Sequence, residues 1–219
     1  MTGRPDSVNP NAATRDRILE AAAALLSKKG YSATRLTDIA DLASVRAPAL
    51  YYYFESRQDL IAEVMATGQR RLRAHVEAAL DALDDDASPL DRIEAAVAAH
   101  LEVELSLSDF ATAVSRNLGQ LPDEVRDRLR AEGTKYIELW RRLLEQARRA
   151  GAIRPDLDLR AARMLVIGAL NWTTEWWDPR QGSLAAVIDT AKNLVRHGLS
   201  APAERRNHIA SSSDVPMRP

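Results

Sequence analysis

The residues with the most recognisable chemistry in this chain lie between positions 34 and 57. They read Thr34-Arg-Leu-Thr-Asp-Ile-Ala-Asp-Leu-Ala-Ser-Val-Arg-Ala-Pro-Ala-Leu-Tyr-Tyr-Tyr-Phe-Glu-Ser-Arg57. The pattern predicts two short helices, about 35–42 and 47–53, joined by a tight turn. That is the layout of a helix-turn-helix, whose second helix enters the DNA major groove. Thr34 is placed to cap the first helix and turn its hydroxyl toward a phosphate, with Thr37 one turn on. Arg46, Ala47, Pro48 and Ala49 open the second helix, the end that enters the groove first, and an arginine there reaches a guanine edge. Three successive helical positions sweep about 200°. Tyr51, Tyr52 and Tyr53 therefore cannot all be buried, and Tyr51 and Tyr52 are the candidates for phosphate or thymine-methyl contact. Arg57 stands where a phosphate clamp is expected.

A second constellation is Asn171-Trp172-Thr-Thr-Glu-Trp176-Trp177. Amphipathic rings among polar neighbours suit the wall of a ligand pocket, and suit a core or dimer interface equally well. Enzymatic chemistry finds little support. There is no cysteine, hence no disulfide, thiolate nucleophile or thiolate metal site, and the four histidines fall at 75, 100, 197 and 208. His100 and Glu104 form an i, i+4 pair, but two ligands do not make a metal site. No P-loop, glycine-rich fingerprint or HExxH is present, so no catalytic residue, metal or cofactor is expected.

The elements that position these residues are all helical. No strand pattern and no repeat is visible. Residues 1–13 read as a flexible arm. Thr14 is a candidate N-cap for a helix carrying Ile18, Ala22, Leu25 and Leu26, which Lys28-Lys29-Gly30 stops. Ser56 caps a helix from Arg57 to about Leu83. Pro89 starts a helix over 89–107, and a shorter piece covers 109–118. Pro122 opens a long helix ending at Gly151. Residues 158–177 and 184–199 complete the set, and 201–219 read as a disordered tail. The expectation is an all-α fold of about nine helices: a three-helix DNA-binding bundle over 14–60 and a larger helical domain over 61–200.

Charge adds little. The chain's formal net charge is −1. Residues 1–60 hold 8 basic and 7 acidic side chains, leaving 22 basic and 24 acidic for the remainder. A local patch suffices for DNA, so this excludes only a uniformly basic coat. No apolar run is long enough to cross a membrane and no leader is recognisable, so a cytoplasmic protein is expected.

Residues 14–60 resemble the DNA-binding domain of the TetR family of transcriptional regulators. The likeness rests on Ile18 and Ala22, Gly30-Tyr31, Thr34, Asp38-Ile39-Ala40, Ala43, Val45, Leu50-Tyr51-Tyr52-Tyr53-Phe54 and Ser56-Arg57. The chain departs from the family's habit at Ser44, where glycine is common, at Arg46, where a small hydroxyl residue is common, and at Arg57, where lysine is usual. The resemblance implies a homodimeric repressor that binds a palindromic duplex-DNA operator and leaves it when a small molecule binds. It implies a four-helix dimer interface from the last two helices, with Leu165, Leu184, Val187, Ile188, Ala191, Leu194 and Val195 as candidates.

The expected effector pocket draws on Phe110, Val114, Asn117, Tyr136, Trp140, Leu143, Asn171, Trp172 and Trp176. The Asn171-Trp172 segment is similar to that of relatives sensing acyl-CoA thioesters, and Arg116, Arg141, Arg142, Arg148 and Arg149 are candidates for the effector's phosphates. Two other readings stay open from sequence: a helical adaptor without a DNA target, and an activator of the same fold.

Overall fold

The computed structural model describes residues 10–107 and 109–201. Nine α-helices account for nearly all of them: α1 Pro10–Lys29, α2 Leu36–Leu42, α3 Ala47–Tyr53, α4 Arg57–Asp81, α5 Pro89–Glu102, α6 Asp109–Asn117, α7 Asp123–Arg149, α8 Leu159–Trp176 and α9 Leu184–Leu199. A π-helical turn, Val103–Leu107, follows α5, and a 3-10 turn, Leu118–Gln120, follows α6. No strand occurs among the described residues, only an isolated bridge between Ile153 and Ser200. None of the described helices is long and apolar enough to cross a membrane.

Local chemistry sets most boundaries. The Ser56 hydroxyl accepts from Asp59 N at 3.0 Å. Ser88 and Asp91 form a reciprocal capping box ahead of Pro89, and Ser183 caps α9. Asp158 accepts from both Arg160 N and Ala161 N at the head of α8. Gly30 (φ 78°) and Gly151 (φ 71°) end α1 and α7 in the left-handed conformation that glycine adopts freely. The start of α1 is a correction to the sequence reading. The helix begins at Pro10, a residue suited to a first helical position, so Thr14 lies inside it and residues 10–13 are not an arm. The rest of the expected arm and all but Ala201 of the expected tail lie outside the described residues.

Two apolar cores result. The first gathers Ile18, Ala22 and Leu26 of α1, Ile39 and Ala40 of α2, Leu50 of α3, and Leu60, Ile61, Val64 and Met65 of α4. It does not stop at residue 60: Phe110 and Ala113 of α6 and Val125 and Leu129 of α7 belong to it. The second gathers Leu72 and Val76 of α4, Ile93, Val97 and Leu101 of α5, Tyr136, Trp140, Leu143 and Leu144 of α7, and Ile167 and Leu170 of α8. Helix α9 lies on α5, pinned where Arg196 bonds Glu94 and Asp91. Helix α4 runs through both cores. At its Gly68 an added Cβ would come within 2.6 Å of the Phe110 carbonyl oxygen, so only glycine lets α4 and α6 approach so closely.

Candidate functional site

The surface expected to face the DNA groove is built from α2, the turn and α3. Burying Ile39, Ala40, Leu50 and Phe54 leaves the outer face of α3 to Arg46, Pro48, Tyr51 and Tyr52. Tyr51 and Tyr52 are 62% and 75% exposed. Tyr53 turns inward against the first core and meets Tyr52 edge to face at 5.0 Å. Ala47 and Ala49 are half-buried, and Thr37 on α2 is exposed. The turn places Ser44 at φ 55°.

Two expected phosphate contacts are corrected. Thr34 is buried, and its hydroxyl donates to Gly30 O at 2.8 Å, so it neither caps α2 nor faces a phosphate. The residue at the α2 cap position is Arg35, which is exposed. Arg57 Nε donates to Thr34 O at 3.2 Å, its Nη2 donates to Tyr31 O, and the guanidinium lies 4.4 Å from the Tyr31 ring centre. It ties the head of α4 to the loop between α1 and α2.

The nine residues expected around an effector divide among three places. Tyr136, Trp140 and Leu143 lie together in the second core, with Asn171 on α8 beside them. Phe110, Val114 and Asn117 do not join them; they pack at the junction with α1 and α4. Fully buried Asn117 accepts from Tyr31 N at 2.6 Å and donates to Leu26 O at 3.1 Å and Ala113 O at 2.9 Å. Its neighbour Arg116 donates to Ser27 O on α1 at 3.2 Å and to Thr174 O on α8 at 2.8 Å. These residues join the two cores. Trp172 and Trp176 are 64% and 55% exposed on this chain, while Trp177 is half-buried.

Most of the arginines considered for effector phosphates also have internal partners. Arg141 pairs with Glu138 and Glu145, and Arg148 donates to Pro155 O and Leu157 O.

Between α8 and α9 runs an apolar groove of about 590 Å³, lined among others by Leu165, Trp176, Val187, Ala191, Leu194 and Val195. Leu165 and Leu194 are 74% and 70% exposed. Two candidates for this face are reassigned. Ile188 packs on the second core as Val187, Ala191 and Val195 do but, unlike them, does not line the groove, and neither does Leu184. An apolar surface of this extent on a water-facing helix pair marks an association site.

Sequence reasoning missed His100 as anything but a rejected metal pair. It is fully buried, its Nδ1 lies 2.7 Å from the Tyr136 hydroxyl, and burial pushes its pKa down to about 4, with the Asn171 side chain opposing. Burial likewise raises the Tyr136 phenol. A histidine at a position whose helical neighbours Ala96, Val97 and Leu101 are apolar was the available signal.

Comparison with known proteins places the same two regions in one family. Residues 18–64 match the profile described as bacterial regulatory proteins, tetR family. Residues 86–199 match that of the tetracyclin repressor-like C-terminal domain. The HTH-type transcriptional repressor KstR2 of Rhodococcus jostii (strain RHA1) is 27% identical over 215 residues, covering 92% of this chain and 99% of that one. Among solved structures, the fatty acid degradation regulator FadR from Bacillus halodurans superposes with a TM-score of 0.74 at 22% identity, over 89% of this chain and 98% of its own. AibR, solved in complex with isovaleryl coenzyme A and operator DNA, gives a TM-score of 0.74 at 23% identity, over 83% and 97%.

Proposed function

The chain belongs to the TetR family of bacterial transcriptional regulators, and from that premise we propose that it is a homodimeric repressor released from a palindromic operator by an acyl-CoA thioester. The observation that carries this reading is the coexistence of two unmatched surfaces on one chain. One is an exposed reading helix with Arg46, Tyr51 and Tyr52 outward; the other is the exposed apolar α8–α9 face. A single reading helix contacts one half-site, and pairing two copies through α8 and α9 supplies the second. Asn117 and Arg116 offer the route between effector and DNA, because a shift of α6 moves α1 through their hydrogen bonds. The acyl-CoA class is supported by AibR, whose structure holds isovaleryl coenzyme A, and by the names of the relatives concerned with fatty acids.

The test uses full-length protein and an operator selected from random duplex DNA. Sedimentation should show a dimer, and Leu194→Asp should yield monomers whose operator affinity falls on the order of 100-fold, about 2.7 kcal/mol. A variant that stays dimeric moves the interface elsewhere. Adding isovaleryl-CoA and longer acyl-CoAs to the wild-type complex should release the DNA. Retention of DNA against the whole series overturns the effector class and leaves the repressor standing.

A further inference from the structure

The second core contains a hydrogen-bonded chain that stops short. Tyr136 and His100 are joined at 2.7 Å, deep between α5, α7 and α8. The Trp140 ring stands edge-on to Tyr136 at 6.5 Å, its N–H turned toward the same phenol oxygen without completing a hydrogen bond. His100 Nε2 makes no hydrogen bond of good geometry, and the Asn171 side chain is the polar group beside the ring. A buried polar atom left in this state is costly, and native cores rarely keep one without a use.

The character of that atom follows from its surroundings. Deep burial keeps the imidazole neutral at physiological pH, so it carries a single proton. The indole N–H facing the phenol oxygen favours the arrangement in which the phenol proton goes to His100 Nδ1. The imidazole's own proton then sits on Nε2. Tyr136 holds the tautomer, and the open position is an N–H donor. Its natural complement is an acceptor oxygen, not a cation or an N–H group. The π-helical turn Val103–Leu107 begins one residue beyond α5, and such turns collect at functional sites because they break the regular packing of a helix.

We propose that the His100 Nε2–H donates to an acceptor oxygen of the effector's acyl group, with Tyr136 as the positioning residue that fixes the tautomer. This rests on the acyl-CoA reading and names the atom that would read the acyl end. A thioester carbonyl and the carboxylate of a free acid present the same acceptor, and the test separates them.

Calorimetric titration of the full-length dimer would compare three ligands of equal chain length: an acyl-CoA, its free acid, and the S-alkyl-CoA thioether that lacks the carbonyl. The wild-type protein should bind the acyl-CoA about tenfold more tightly than the thioether. His100→Phe should abolish that difference while leaving thioether affinity unchanged. His100→Gln, whose amide N–H can take the donor's place, should restore part of the difference; it also serves should the phenylalanine variant fail to fold. Free-acid binding that depends on His100 as strongly assigns the oxygen to a carboxylate. A difference that survives in both variants, or equal weakening of every ligand, overturns the proposal. A wild-type protein that binds none of the three overturns the acyl-CoA reading and this inference with it. Binding without discrimination in the wild type overturns this inference alone.

Discussion

The two cores of this chain are built on opposite terms. The first, which supports the reading helix, is apolar throughout: Ala21, Ala22 and Ala23 with Ile18, Ile39, Leu50 and Ile61, and the larger Phe54, Met65 and Phe110. Its buried polar groups are matched, with Thr34 bonded to Gly30 O and Asn117 to three backbone groups. Among the described residues, no buried side-chain atom of residues 10–60 lacks a partner. The second core encloses an imidazole, a phenol and an indole, and leaves His100 Nε2 and Trp140 Nε1 unmatched. Its outer wall, α8 and α9, is open and apolar. A domain that must present one fixed surface to DNA gains from complete satisfaction. A domain that must respond to a ligand and a second copy is complete only when they are bound.

The largest effect that would sharpen this contrast is the pH dependence of stability. His100 has an ordinary pKa of 6.5 and a folded value of about 4. Between those values the unfolded chain takes up a proton that the folded chain refuses. Stability is therefore whole above pH 6.5 and falls as pH drops toward 4, by roughly 3 kcal/mol for a shift of this size. Urea unfolding followed across pH 4–7 should show that slope, and His100→Gln should flatten it. The carboxylates that are held low by their partners, such as Asp91 beside Ser88 and Arg196, titrate below this window and act in both proteins. An identical slope in the variant would mean that the second core admits water at His100.

The joint between the cores gives the next effect. Asn117→Ala removes three hydrogen bonds and takes from Tyr31 N–H its side-chain acceptor, while Leu26 O keeps the Gly30 N–H. The expected cost is about 2 kcal/mol by urea unfolding. The expected functional consequence is an effector that still binds but releases DNA less completely. A loss below about 0.5 kcal/mol would assign the joint to apolar packing around Phe110 instead.

Much of this architecture was legible in the sequence, because helix ends carry local signals. Ser56, Pro89 and Gly151 each marked a boundary through chemistry confined to four or five neighbouring residues. What misled were residues whose role depends on distant partners. Arg57 has the composition of a phosphate clamp, but only the fold brings Tyr31 O and Thr34 O to its guanidinium. Phe110 and Asn117 have the periodicity of buried residues, which reveals that they are inside and not which core they enter. Gly68 gave a fainter sign. A glycine in the middle of a 25-residue helix costs about 1 kcal/mol against alanine, and here it answers to the Phe110 carbonyl. The exposed tyrosines were inferred correctly as a set, since three consecutive positions cannot share one face.

The smallest effect concerns the turn of the reading motif. Ser44 holds φ 55°, where a side chain crowds the backbone and glycine does not. Replacing it with glycine relieves that strain but loosens the unfolded chain, so the two terms partly cancel. The expected net gain is about 0.5 kcal/mol, and Ser44→Val, branched at Cβ, should lose about 1–2 kcal/mol at the same site. Both changes act at the exposed turn between α2 and α3, outside the second core, so effector affinity should not move in either variant. If Ser44→Gly instead lowers operator affinity while raising stability, the serine hydroxyl serves the DNA backbone, and the strain at this turn is retained for recognition. If neither variant moves stability, the left-handed turn is held by the packing of Val45 and Ala43 strongly enough to make the residue between them indifferent.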